Sequence, residues 1–249
     1  MLINQTTQKL NDLGLIGMAS ALEQQNSSIQ LQQMTFEERI SMLIDSEENF
    51  RKNKRFSRLF KASRIRQRQA SLEDIDYSRD REIDHLYIRS LADCQWIHRC
   101  HNLILTGATG TGKSYLASAF GVQACRQDLS VLFYTATELY ETLARASVDG
   151  TLLRVRNSIV KAKLLIIDDL GIGGIDTNTG PILLDIIDQQ SMTGSILVTS
   201  QFPTEKWYDL FNDPTIADAI LDRLLHKAHF VKLKGESMRR KNRVTPIKS

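Results

Sequence analysis

Eight consecutive residues, Gly107-Ala108-Thr109-Gly110-Thr111-Gly112-Lys113-Ser114, satisfy the pattern G-x-x-x-x-G-K-[ST] in full. Glycines at these places let the backbone curl until successive N–H groups point inward, which is what an array of phosphate oxygens needs. A helix opening at Lys113 would add its positive end. Lys113 then supplies a point charge to the β- and γ-phosphates of a nucleotide, and Ser114 offers a hydroxyl to Mg²⁺. The apolar stretch Asn102 to Thr106 before the loop reads as a strand, and Tyr115 to Ala124 after it as a helix, with Tyr115 counted among the nucleotide-binding residues. The expected cofactors are therefore ATP and Mg²⁺.

A second run, Leu164-Leu-Ile-Ile-Asp168-Asp169, is a hydrophobic strand that ends in two carboxylates. A strand end beside a phosphate loop is where an acid must sit to hold Mg²⁺ through its water shell, and that role is assigned to Asp168. Asp169, next to it, is assigned the polarisation of the attacking water. A third run, Ser195-Ile-Leu-Val-Thr199-Ser200-Gln201, ends in polar groups within reach of the γ-phosphate or that water. Ser200 is the chosen contact, with Thr199 and Gln201 as alternatives.

Positioning these groups takes a particular scaffold. Short apolar runs at Asn102 to Thr106, Val131 to Tyr134, Leu164 to Ile167, Ser195 to Thr199 and Phe230 to Leu233 alternate with helical patterns. Five strands separated by helices imply a parallel sheet covered on both faces, an α/β fold. Before it the texture is all-helical. Leu10, Leu13, Ile16 (or Leu15), Ala19 and Leu22 recur at helical spacing. Thr35 with Glu38 reads as a capping box opening a second helix through Ile40, Leu43 and Ile44. The basic run from Arg51 to Arg68 carries Phe56, Leu59 and Phe60 as an apolar stripe and is predicted to be a basic amphipathic helix. Ser71-Leu-Glu-Asp74 is expected to start a further helical stretch reaching Leu91 through Ile83, Leu86 and Tyr87. The domains are thus 1–72, a small helical domain for DNA or partner binding, and 73–249, the nucleotide-binding domain.

Composition narrows the function classes. Of 249 residues, 42% are hydrophobic and 24% charged, which is ordinary for a globular protein in water. No apolar run approaches the ~18 residues of a membrane span, and the polar start reads as no signal peptide. Cys94, Cys100 and Cys125 are too few for a disulfide framework and fit a reducing, cytoplasmic compartment. The spacing of Cys94, His98, Cys100 and His101 matches no common zinc pattern. Net charge is only +3, but half the positions from Arg51 to Arg68 are Lys or Arg and none is acidic. A second basic cluster comprises Lys232, Lys234, Arg239, Arg240, Lys241 and Arg243. Such segments favour phosphate backbones, and no base-reading motif accompanies them.

The GATGTGKS loop, the LLIIDDLG and LVTSQ strands and the later ILDRL and GESMRR segments resemble the AAA+ ATPases of the DnaC/IstB group, most of all the IstB-type transposition helpers. The resemblance runs from about residue 75 onward. It implies a sheet of order 5-1-4-3-2, assembly into ring or helical oligomers, and ATP sites at subunit junctions. It further implies that Arg223, in ILDRL, reaches into the neighbour's site as an arginine finger. Arg239 matches the second sensor, with Arg240 as fallback. Two departures stand out: Asp169 takes the place of the usual Glu, and only 16 residues follow Leu233, too few for a helical lid. The implied function is an ATP-dependent, DNA-binding assembly factor that helps a cognate transposase select target DNA. The alternatives are a DnaC-type helicase loader and, from another class, a small-molecule kinase, which would need an acceptor site and an Arg-rich lid.

Overall fold

The computed structural model describes residues 2–78, 82–172, 175 and 177–238. The chain divides into two compact units between Arg58 and Leu59; the sequence pattern places the boundary later, at 72/73. Among the described residues no helix is long and apolar enough to cross a membrane.

The first unit comprises α1 (Leu2–Asp12), α2 (Ile16–Ser27), α3 (Ile29–Gln32) and most of α4 (Phe36–Ala62). The apolar spacing from Leu10 to Leu22 suggests one helix, but the structure breaks it. Gly14 adopts a left-handed φ of 73°, and Leu15 N–H closes back on Leu10 O at 2.8 Å, the helix-ending geometry that glycine favours. α4 opens as read: Thr35 N–H donates to Glu38 at 2.9 Å and Glu38 N–H to Thr35 Oγ1 at 3.3 Å. α2 and α4 cross closely at Gly17, where a Cβ would lie 2.5 Å from Ser46 O.

Leu15 gives α2 no side-chain cap, and Glu47 of α4 supplies it. Its carboxylate accepts Gly17 N–H at 2.8 Å and Met18 N–H at 3.2 Å, and Arg51 closes on its other oxygen at 2.7 Å. Burial pushes the Glu47 carboxyl up, but Arg51 and the two N–H groups outweigh it and hold it below the usual range. A carboxyl depressed on folding contributes stability above its unfolded pKa, about 4.3, and loses it as pH falls through the lower folded value. The hydrogen-exchange protection factors of Gly17 and Met18, taken against the intrinsic rate at each pH, are therefore expected to fall on acidification below about pH 4.3. Glu47→Ala, which orphans both donors, is expected to cost about 1–3 kcal/mol at neutral pH.

The second unit is an α/β domain. β1 (Asn102–Gly107), β2 (Val131–Thr135), β3 (Leu164–Leu170), β4 (Ser195–Ser200) and β5 (Ala228–Leu233) form one parallel sheet of order β2-β3-β4-β1-β5, the order 5-1-4-3-2 that the resemblance implied. On one face α7 (Lys113–Arg126) crosses the strands, with Ile166 Cδ1 2.9 Å from where a Cβ on Gly121 would stand. On the other, α8 (Ala136–Val148), α10 (Thr179–Thr193) and α11 (Pro214–Leu225) bury Ile104, Leu165, Ile167, Ile196 and Val198. α5 (His85–Leu91), α6 (Gln95–His98) and α9 (Leu152–Val160) complete the set. Because β1 lies between β4 and β5, the chain leaves its carboxyl end at a topological switch point, where open α/β sheets present a crevice for ligands.

The structure corrects two helical expectations. The basic run is helical only to Ala62. Beyond it, Ser63 O accepts Phe133 N–H at 2.8 Å on the free edge of β2. Arg64, at φ 61°, then stacks over the Tyr134 ring at 4.8 Å, and Arg66 pairs with Glu138. Residues 71–78 are likewise not helical, and the next helix among the described residues is α5, capped by Asp84 through Leu86 N–H at 2.9 Å. Of the apolar residues of this strap, Ile75 and Ile83 are buried.

Candidate functional site

The phosphate loop is shaped by close approaches that exclude side chains. Gly107 ends β1 at φ 152°, and a Cβ there would stand 2.2 Å from Leu233 O. Gly110 and Gly112 take φ of 85° and 92°, left-handed values that glycine adopts without strain. Gly112 caps α7 without a side chain, so the positive end of that helix faces the loop unmasked. Lys113 is buried, and its Nζ donates to Gly107 O at 2.9 Å and Ala108 O at 3.0 Å. Thr111 Oγ1 ties down Ala108 O at 2.9 Å.

Asp168 lies across from this loop at 6% exposure. Thr199 Oγ1 donates to its Oδ1 at 2.6 Å, and Ser114 also hydrogen-bonds to its side chain. Burial raises its carboxyl above the usual range, and the charge of Asp169 adds to this, while Thr199, Ser114 and Lys113 oppose it without cancelling it. A hydroxyl and a carboxylate already in contact form a hard oxygen donor pair, the kind Mg²⁺ prefers. Asp169 is half-buried with a left-handed φ of 59°.

A cavity of about 520 Å³ runs along the loop, bounded by Thr109, Gly110, Gly112 to Leu116, Asp169, Gln201, Leu233 and Met238, among others. That volume suits a nucleotide-sized ligand. The structure brings the loop, Tyr115, Asp168 and Asp169 together. It does not bring Ser200. That side chain is fully buried, donates to Leu170 O at 2.7 Å and accepts Phe202 N–H at 3.2 Å, so its hydroxyl is spent inside the sheet. Thr199 is equally buried, and the polar group at the cavity wall is Gln201, which accepts from Thr109 Oγ1 at 2.6 Å.

Sequence reasoning missed the far wall, formed by Gln67, Asp74, Ile75, Asp76 and Ile83. Tyr115 Oη holds this strap by accepting Ser71 N–H at 3.3 Å. The sequence signal was Ile75 and Ile83, each flanked by acidic residues.

Arg223 is remote from its own cavity. It lies in the last turn of α11, where Asn102 Nδ2 donates to Arg223 O at 2.9 Å and Leu224 O at 3.0 Å. Asn102 starts β1 and Gly107 ends it, so at ~3.3 Å per residue the two ends lie roughly 17 Å apart. The guanidinium pairs with Asp188 and donates to Ala219 O at 2.9 Å. Arg239, like Arg240, falls outside the described residues. The segment leading to it crosses the loop, with Met238 N–H bound to Gly110 O at 2.9 Å.

With that geometry in place, comparison with known proteins is decisive. Residues 8–246 match the family model described as IstB-like ATP binding protein. The chain belongs to this family. An insertion sequence ATP-binding protein of Sinorhizobium fredii is 37% identical over 243 residues, covering 98% of this chain and 99% of the relative. One from Pseudomonas fluorescens is 39% identical over 204 residues, 82% and 88% of the two chains. Among solved structures, DnaI superposes with a TM-score of 0.57 at 22% identity over 67% of this chain and 92% of its own. The DnaC helicase loader gives 0.57 at 17% over 66% and 97%. Identities this low speak for the AAA+ fold alone. The IstB-like chain thus has its family from sequence relatives and its fold from both.

Proposed function

We propose that this IstB-like protein is a cytoplasmic, magnesium-dependent ATPase that oligomerises on double-stranded DNA and assists a cognate transposase in selecting target DNA. The observation that carries the reading is that relatives named as insertion sequence ATP-binding proteins match essentially end to end, on a chain with a complete phosphate-loop motif whose Thr109, Gly110, Gly112, Lys113 and Ser114 line the cavity. The loop N–H groups and Lys113 hold the phosphates. Ser114 and Asp168 would hold Mg²⁺, which neutralises charge on the β- and γ-phosphates when bound. Asp169 orients and polarises the attacking water. Gln201 replaces Ser200 as the group facing the γ-phosphate. Arg223 acts on the site of a neighbouring subunit. The DnaC-type loader reading shares this chemistry and differs in its partner; co-purification with transposase or with helicase separates the two.

The DNA surface is assigned to the solvent-facing part of α4. Arg55, Arg58 and Lys61 are exposed along the helix, whereas Arg64 lies beyond it, stacked on Tyr134. Neutralising these three is expected to weaken duplex binding about equally across unrelated sequences. The log–log salt slope should fall by roughly 0.9 for each phosphate that the protein no longer neutralises. Filter-binding titrations between 50 and 200 mM salt, about the range where such charge pairing dominates, check this. Wild-type affinity with the wild-type slope would place the DNA surface elsewhere.

A further inference from the structure

Consecutive residues of a strand point to opposite faces of its sheet. In β3, Leu165 and Ile167 pack into the core beneath α8, α10 and α11, while Ile166 faces α7. Regular continuation would leave Asp168 on the α7 face beside Ser114 and drive Asp169 into the opposite core. The pairing with β4 prevents this. Ile167 lies opposite Val198, and the next paired residues are Leu170 and Ser200. Asp168 and Asp169 therefore share a single opposing residue, Thr199, which is a β-bulge. Leu170 records the consequence: despite its even number it packs in the same core as Leu165 and Ile167. Asp169, the extra residue, takes φ 59° and lines the cavity.

A left-handed backbone is disfavoured for residues with a Cβ, less so for Asp than for most, and local hydrogen bonds hold it here. Thr199 Oγ1 accepts the Asp169 N–H at 2.9 Å and donates to Asp168 Oδ1 at 2.6 Å. One hydroxyl thus uses its lone pair on the bulged backbone and its proton on the buried carboxylate. Its side chain is wholly buried and borders no part of the cavity. Ser200 secures the strand just beyond, through Leu170 O.

We propose that Thr199 is a positioning residue whose hydroxyl holds the β3 bulge in the form that brings two adjacent carboxylates to one nucleotide site. It acts without touching the nucleotide. The inference rests on the reading of the cavity as an ATP site.

Thr199→Val keeps the shape and removes both hydrogen bonds; Thr199→Ser keeps both. For Thr199→Val, kcat and the gain in nucleotide affinity produced by Mg²⁺ are each expected to fall roughly 10–100-fold, the usual effect of removing an outer partner of a metal-binding carboxylate. Affinity for a fluorescent ATP analogue in EDTA, set by the loop, stays at the wild-type level, and Thr199→Ser restores kcat. Two results would overturn the proposal: a Thr199→Val protein with wild-type kcat, or equal losses in the Val and Ser variants, which would make the packing of this buried position, and not its hydroxyl, the cause. If the valine does not fold, as judged by melting temperature, Thr199→Ala set against Thr199→Ser gives the same contrast. Should the wild-type protein itself not bind the analogue, the reading of the cavity fails, a result distinct from either of these.

Discussion

Arg223→Ala is expected to lower ATP hydrolysis by ~10³ or more while leaving the nucleotide affinity of the isolated chain unchanged. The separation of functions follows from position. Arg223 sits beside the first residue of β1, and the phosphate loop springs from its last. Roughly 17 Å of strand separates them, more than an arginine side chain spans, so within one subunit the guanidinium has no phosphate to meet. Its ion pair with Asp188 is partly exposed, and such pairs are worth only about 0–1 kcal/mol. Withdrawing the arginine from Asp188 therefore costs little against the ~4 kcal/mol that a thousandfold rate represents. Mixing tests this directly. Arg223→Ala subunits contribute an intact loop and Lys113→Ala subunits an intact arginine, so co-assembled mixtures should regain hydrolysis that neither shows alone. No recovery at any ratio, with co-assembly confirmed, would leave Arg223 a structural residue.

Lys113→Ala should abolish measurable ATP binding or turnover. The ammonium donates to Gly107 O and Ala108 O, two carbonyls of the loop that would surround the phosphates, and it would exchange these partners for β- and γ-oxygens when a nucleotide binds. Removing one charge-assisted hydrogen bond costs about 1.5–3 kcal/mol; Lys113 would make more than one to a polyanion. Fluorescent-analogue titration and phosphate release measure the loss, and an unaltered circular dichroism spectrum shows the fold intact. Unchanged affinity and turnover would mean that the loop binds no nucleotide.

What the sequence disclosed was local. The loop, the two carboxylates and the five strands are written in contiguous residues, and the sheet appeared with the implied order. What it concealed was set by partners distant in the chain. Ser200, a polar strand end in sequence, has its hydroxyl bonded to Leu170 O on the neighbouring strand. The bulge at Asp168 and Asp169 is a property of β3 and β4 together, invisible in either strand alone. The strap before α5 carries helical spacing, yet Ser71 N–H bonds to Tyr115 Oη and Ile75 is buried, and tertiary interactions of this kind override weak helix propensity. Gly14 is the exception, because a helix-ending glycine is legible in principle; the regular apolar spacing on either side of it masked the break.

The central claim, that ATP governs assembly of this IstB-like chain on DNA, is tested most directly by electron microscopy of the protein on linear duplex DNA, with ATP and without nucleotide. Ordered oligomers coating or deforming the duplex are expected with ATP, and isolated or absent particles without it, with Lys113→Ala resembling the nucleotide-free sample. Identical decoration of the DNA in all three samples would contradict the account.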